Sequence, residues 1–329
     1  MVMFKNKTIL ITGGTGSFGN HFLKMLLKKY NSCKKIIIFS RDELKQSEMI
    51  KRFLSPKLRF FLGDIRDLNR LKIAFSDVDI VIHAAALKQV PTAEYNPFEF
   101  IKTNVVGTQN VVEACLSTNV KKLISLSTDK ASSPINLYGA TKLAADKLVL
   151  SLNNISGNRK IKSSVVRYGN VLGSRGSLLG LLMETSKKNY FNITDLNMTR
   201  FNITLKDACE MVFWSLQNMK GGEIFVPKIP SFKILDMARC VNNKARIKKI
   251  GLRPGEKIHE EMISKHELIY TYDLGKYYAV LNSKDTNLLK KYKSKKLATL
   301  KDSYNSKDNK DKMSQMDLRK VLDEYKNLA

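Results

Sequence analysis

The chain has 329 residues, 43% of them hydrophobic and 26% charged. That is about two domains' worth of chain with a sizeable buried core, in proportions that exclude collagen-like, disordered and small disulfide-stapled classes. Lys and Arg outnumber Asp and Glu 57 to 30, a formal net charge of +27, which suits an anionic ligand such as a nucleotide, a nucleic acid or a phosphate-bearing sugar. The excess is spread along the chain rather than gathered in one tract, which weakens the nucleic-acid reading, and a lysine-biased composition accounts for it equally well.

The amino terminus runs into a strand without a basic-then-apolar leader, and no apolar run reaches the ~18 residues needed to span a bilayer, so a cytoplasmic protein is expected. Strands are predicted at residues 8–12, 35–40, 58–62, 80–83, 123–127 and 164–167. Being apolar on both faces, they belong inside a covered sheet. Between them, residues 20–30, 98–116 and 136–152 carry apolar side chains at helical spacing. The alternation predicts an α/β, doubly wound parallel sheet over residues 1–175. Beyond 176 the pattern turns irregular, with helices near 178–187 and 205–218 and a short strand at 223–226, read as a smaller lobe over 176–283. Residues 284–329 read as a basic polar tail: 284–314, rich in Lys, Ser, Asp and Asn, is expected to be weakly ordered, and 318–328 to dock back on the body. Cys33, Cys115, Cys209 and Cys240 lie far apart with no metal-ligand spacing, so no metal is expected and the thiols read as structural.

Chemistry-bearing residues cluster at the ends of the predicted strands. The first runs into Thr12-Gly13-Gly14-Thr15-Gly16-Ser17-Phe18-Gly19 and a helix, the arrangement in which glycines admit a pyrophosphate to the helix's unpaired N–H groups. This predicts a dinucleotide-binding Rossmann domain. The second ends in Ser40-Arg41, with Asp42 and Lys45 following; Arg41 can grip a 2′-phosphate, which favours NADP over NAD, or be a solvated surface cation. The third is followed by Asp64 and Ile65, placed to meet an adenine ring, although Asp64 or Asp67 can equally cap a helix. His83 ends the fourth and reads as a packing residue.

The fifth strand runs into Ser127-Thr128-Asp129-Lys130, and Tyr138 and Lys142 share one face of the following helix. An ammonium beside a phenol favours phenolate, so Tyr138 reads as the base for a hydroxyl under oxidation, Lys142 as its activator and a holder of ribose, and Thr128 as a partner of the substrate oxygen. Asp129 and Lys130 add an acid and a base that a plain reductase does not need. For Lys130 to act as base its site must depress its pKa.

These motifs, with His83-Ala84-Ala85-Ala86-Leu87-Lys88, Tyr138-Gly139-Ala140-Thr141-Lys142, Arg167-Tyr168-Gly169-Asn170-Val171 and Arg253-Pro254-Gly255-Glu256-Lys257, resemble the extended short-chain dehydrogenase/reductase superfamily. Within it the chain is similar to the soluble UDP-N-acetylglucosamine 4,6-dehydratases that invert C5 and open the pseudaminic acid pathway. The likeness covers roughly residues 4–265. Relatives that retain C5 commonly carry Thr-Asp-Glu where this chain has Thr128-Asp129-Lys130, and large membrane-anchored relatives commonly lose the tyrosine kept as Tyr138. The resemblance implies tightly held NADP, a UDP-sugar substrate, a homo-oligomer, often a hexamer, and no membrane or nucleic-acid partner. It implies a cofactor site that also includes Ala84, Ala85, Ala86, Lys88 and Asn104. A substrate site of Lys88, Asn170, Val171, Arg200, Arg253 and Glu256 follows in the same way. A nucleotide-sugar epimerase or reductase of the same fold, or a protein using NADP only as a sensor, are the alternatives.

Overall fold

The computed structural model describes residues 2–173, 176–186, 189–281 and 285–326. Six parallel strands, β1 (Thr8–Thr12), β2 (Lys35–Ser40), β3 (Leu58–Leu62), β4 (Ile80–His83), β5 (Lys122–Thr128) and β6 (Lys162–Tyr168), lie in the spatial order 3-2-1-4-5-6. This is the doubly wound order, which opens a crevice beyond the carboxyl ends of β1 and β4 where the winding reverses. Strands β1, β2 and β4 are almost wholly buried, and isoleucine and valine fill both of their faces, as a sheet covered by helices requires. The expected α/β, doubly wound sheet is what the chain forms.

Three differences have physical causes. The stretch read as one helix over 98–116 is three segments, Pro97–Phe100, a π-helical turn Ile101–Val106 and Gly107–Ser117. The wide turn buries Asn104, whose amide pairs with the backbone of Leu87 in both directions. The segment 176–283 is divided in space. Its strand Ile224–Pro227 extends the main sheet parallel to β6, and Tyr277–Val280 and Thr271–Asp273 follow antiparallel. A separate small core forms where Leu179, Leu182, Phe191 and Phe232 meet Met237.

The tail is the third. Among the described residues of 284–314, helix Thr286–Tyr292 buries Leu288 and Tyr292, Lys296–Leu297 adds an edge strand, and Tyr304–Asn305 pairs with Glu261–Ile263. Average composition hides this because a few well-spaced anchors suffice: Tyr304 donates to the carbonyl of Ile229 and accepts its N–H, and the Tyr292 hydroxyl donates to buried Glu223 at 3.0 Å. Helix Gln315–Lys326 docks on the small core through Leu318 and Leu322, as expected; residues 327–329, and residue 187 of the helix predicted near 178–187, lie outside the described residues.

Replacing a large buried aromatic by alanine removes transfer free energy and leaves a cavity, so Tyr292→Ala should cost about 3–5 kcal/mol. The check is thermal denaturation of both proteins; an unchanged melting temperature would mean that the sheet does not depend on the tail.

Candidate active site

A cavity of about 560 Å³ opens at the carboxyl ends of β1, β4, β5 and β6. One wall is the glycine turn. Gly13 has φ +64°, and a Cβ there would lie 2.8 Å from Ala85 Cα, so only glycine lets the two strand ends meet. Gly19 packs against the carbonyl of Gly14, where a Cβ would collide. Helix α1 (Ser17–Lys29) then begins at Gly16, which has no side chain to cap it. Its first-turn N–H groups are the positive end of the helix dipole, and a dinucleotide diphosphate fits this cradle. Gly13, Gly16, Ser17, Phe18, Gly19, Ala84, Ala86 and Lys88 line the cavity, whereas Thr15 and Ala85 stand just behind it. Behind the wall, Thr12 Oγ1 accepts from the N–H groups of Ala84 and Ala85 and lies 2.8 Å from His83 Nδ1. Burial drives His83 down to about 3, so it is a neutral packing residue.

At the far end of the cofactor crevice, Ser40 Oγ accepts from Gln46. Asp42 caps the next helix by accepting from Lys45 N at 3.0 Å, and its carboxylate also pairs with the Lys45 ammonium. Arg41, half exposed, lies 3.4 Å from Asp64, which Arg66 holds more closely at 2.8 Å. Asp67, not Asp64, caps the following helix. Two expected cofactor contacts are corrected. Ile65 is buried in the core against Gly107. Asn104 is buried and spends its amide on Leu87 and on Thr141 of the helix Leu137–Ile155, so it supports the wall without facing the cavity.

The opposite wall carries the residues expected to react. Strand β5 ends at Thr128, and a short 3-10 turn, Asp129–Ala131, follows. Helix Leu137–Ile155 starts against this turn: Asn136 caps it by accepting from Gly139 N at 2.8 Å, and Gly139 abuts the carbonyl oxygen of Lys130. Thr128, Lys130, Tyr138 and Lys142 line the cavity. Asp129 does not; it is fully buried beneath them. Thr128 Oγ1 donates to Asp129 Oδ1 at 2.9 Å, and Lys130 Nζ donates to the same oxygen at 3.1 Å.

Two expectations about protonation are corrected here. Burial pushes the Tyr138 phenol up to about 12, against the pull of Lys130 and Thr128. Lys142 is not among the main influences on it; its ammonium donates to the carbonyl of Leu126 at 2.8 Å, and burial lowers its own pKa. Burial likewise opposes charge on Lys130, but the carboxylates of Asp129 and Glu260 outweigh it and raise the ammonium's pKa. Lys130 thus rests as a cation, the reverse of what a lone base would need.

Asn170 and Val171 line the outer cavity, and Asn170 Oδ1 lies 3.5 Å from Lys130 Nζ. Arg200 is buried at the rim, 3.8 Å from Glu256 and 3.5 Å from Glu260, while Arg253 is exposed. None of Arg200, Arg253 and Glu256 lines the cavity itself. Sequence reasoning missed Glu260, 3.1 Å from Lys130 Nζ and 2% exposed. It also missed Lys257, which donates to Ser132 O at 2.8 Å and ties its loop to the reacting turn. The available signal was the Glu260-Glu261 pair: on an extended chain the two point to opposite sides, Glu260 inward and Glu261 to the hydroxyls of Ser132 and Ser133. A phenol, a hydroxyl and an ammonium held by buried carboxylates, beside a dinucleotide cradle, can move a proton off a carbinol and another off the carbon next to it.

The family described as polysaccharide biosynthesis protein matches residues 9–282. The UDP-N-acetylglucosamine 4,6-dehydratase (inverting) of Campylobacter jejuni subsp. jejuni serotype O:2 is 55% identical over 282 residues, 84% of each chain. The UDP-glucose 4-epimerase of Rickettsia bellii is 43% identical over 317 residues, 93% of each. Among solved structures, Pen from Bacillus thuringiensis superposes over 99% of both chains with a TM-score of 0.90 and 35% identity.

Because a Cβ on residue 139 would overlap the Lys130 carbonyl, Gly139→Ala should push the catalytic helix off the turn, with a loss of about 1–3 kcal/mol from overpacking and of most activity. Denaturant titration and turnover together check it; a variant with normal stability and rate would show that the contact can relax freely.

Proposed function

The chain belongs to the polysaccharide biosynthesis protein family, and from that premise we propose that it is a C5-inverting UDP-N-acetylglucosamine 4,6-dehydratase whose 4-keto-6-deoxy product serves surface glycan synthesis of the pseudaminic acid type. The observation that carries this reading is the Asp129–Lys130 pair beside Tyr138, in a chain 55% identical to a protein of that name. An epimerase needs Tyr138 and Lys142 but neither Asp129 nor Lys130. It is the second reading because of the 43% identical Rickettsia relative.

The nicotinamide, when bound, supplies the acceptor and later the donor of a hydride. Tyr138 Oη takes the C4 hydroxyl proton, with Thr128 Oγ1 holding the same oxygen and Lys142 holding ribose. A phenol near 12 is protonated at rest, so Tyr138 receives the carbinol proton only as it passes its own on to solvent, and the transfer accompanies oxidation rather than preceding it. The C4 carbonyl makes the C5 proton acidic. Lys130 becomes a base by passing a proton to Asp129 Oδ1, 3.1 Å away, which at once makes Asp129 an acid. Since Asp129 lies beneath the cavity floor, its proton reaches the departing C6 hydroxyl through Thr128 Oγ1, 2.9 Å from it. Water leaves, C6 is reduced, and a proton from solvent arrives on the opposite face of C5.

NADP is favoured because Asp42, the carboxylate that could receive adenosine ribose hydroxyls, is committed to Lys45. Arg41 meanwhile is held only by an exposed ion pair, which is worth little. The UDP end falls to Lys88, Asn170, Val171, Arg200, Arg253 and Glu256. A cytoplasmic homo-oligomer accords with this assignment, and among the described residues no helix is long and apolar enough to cross a membrane.

Incubation with UDP-N-acetylglucosamine in deuterated water, read by NMR, should give a 4-keto-6-deoxy sugar with deuterium at C5 and no net build-up of reduced nicotinamide; a C4 epimer without loss of water would favour the second reading. Lys130→Ala should still allow the first hydride transfer yet stall before C5 exchange, whereas Tyr138→Phe should block both. Normal exchange in Lys130→Ala would remove Lys130 from the mechanism. Losing a charge-assisted contact worth ~1.5–3 kcal/mol, Arg41→Ala should bind NADP at least about tenfold more weakly while sparing NAD, measured by titration; equal losses would make Arg41 structural.

A further inference from the structure

Lys130 Nζ lies between two buried carboxylates of unequal surroundings. Asp129 has Lys130 as its cation and Thr128 as a further donor, while Asp129 Oδ2 and Glu260 Oε2 are alike in being buried without a hydrogen-bond partner. Glu260 faces Lys130 at 3.1 Å and Arg200 at 3.5 Å, with Lys257 close enough to act on its charge. The backbone of Glu260 is clamped on both sides by Ser306: its N–H donates to Ser306 Oγ at 2.9 Å and its carbonyl accepts from Ser306 N at 2.8 Å. Ser306 is fully buried and belongs to the polar tail. The tail therefore delivers this carboxylate to the reacting lysine.

We propose that Glu260 is a positioning residue for the elimination step: its ionised carboxylate holds the Lys130 nitrogen and assigns the pair's mobile proton to Asp129. The inference rests on the dehydratase reading. Two carboxylates flanking one ammonium cannot behave alike when their other neighbours differ. Burial raises both, but at Glu260 the cations Lys130, Arg200 and Lys257 outweigh it, and the group is held below its ordinary value. At Asp129 burial wins, and the negative charge of Glu260 pushes the same way. The proton that leaves Lys130 Nζ thus goes to Asp129 Oδ1; the N–H bond breaks, the O–H bond forms, and no other reactant is needed. Arg200, Tyr138 and Lys257 are the further charged and titratable groups that act on Lys130.

The test is Glu260→Gln, which keeps the size and an acceptor oxygen but removes the charge. A negative charge favours protonation of its neighbours, so its loss lowers the pKa of both Asp129 and Lys130. The acid limb of the pH profile for C5 deuterium exchange, on which the pair binds a second proton, should move to lower pH by ~1 unit, with affinity for UDP-N-acetylglucosamine within about threefold of wild type. Glu260→Asp, which keeps the charge, should leave the limb in place while slowing the rate. An unmoved limb in Glu260→Gln, or an equal shift in Glu260→Asp, would overturn the inference. If Glu260→Gln fails to fold, Ser306→Ala decides: it keeps both carboxylates but frees the Glu260 N–H, and an acid limb moved downward supports the role whereas an unmoved one overturns it. Wild-type enzyme that exchanges no deuterium at any pH would overturn the dehydratase reading itself, whereas exchange in wild type with unmoved variant limbs overturns this inference alone.

Discussion

An ammonium ion buried without partners is too costly to persist, and much of the architecture around Lys130 answers that constraint. Its nitrogen stands within 3.5 Å of Asp129, Glu260 and Asn170, which come from three separate parts of the chain. Asp129 follows β5, Asn170 follows β6, and Glu260 lies about ninety residues further on, held by the tail. The cluster extends to Arg200, whose charge Glu256 and Glu260 balance. Sheet, small lobe and tail are thus joined electrostatically beside the proposed reacting groups. Each partner is worth more for being buried, and each would be costly to remove alone.

A second buried charge ties the same elements from below. Arg167, fully buried on β6, pairs with Glu267 at 2.9 Å, donates to Met262 O, and lies 3.8 Å from Asp146 on the catalytic helix. Asp146 in turn accepts from Ser127 on β5. The helix bearing Tyr138 and Lys142 is therefore set by contacts at its start and its middle. Gly139 seats its start on the Lys130 carbonyl, and the Asp146–Arg167 contact fixes its middle. Tyr138 and Lys142 owe their common direction to helical spacing, and their distance from Thr128 to these two attachments.

The proposed chemistry is one of coupled protonation states rather than of isolated acids and bases. Lys130 was expected to need a depressed pKa; instead it is held charged by neighbours that can also take its proton. An ammonium on the cavity wall paired with a buried carboxylate differs from its neutral counterpart by the position of one proton across 3.1 Å, so a base and an acid arise in a single transfer.

Local order alone determined much of this molecule. Alternation of β-branched runs with helical periodicity determined the doubly wound sheet, because parallel strands buried on both faces must be apolar throughout. The glycine spacing determined the phosphate cradle, and four-residue spacing on one helix put Tyr138 and Lys142 side by side. What needed the tertiary structure were relations between residues far apart in the chain. The burial of Asp129 beneath the cavity, the occupation of Lys142 by Leu126 O and the wide helical turn that turns Asn104 to Leu87 depend on contacts no local pattern encodes. So do the return of strands 224–227, 271–273, 277–280 and 296–297 to the main sheet and the packing of the tail. Glu260 is the clearest case: the Glu260-Glu261 pair signals that one carboxylate points inward, but Glu260 acquires a role only because Ser306, 46 residues later, holds its backbone while Lys130 and Arg200 meet its side chain. Burial and charge pairing are sums over neighbours in space, and only the folded chain supplies those neighbours.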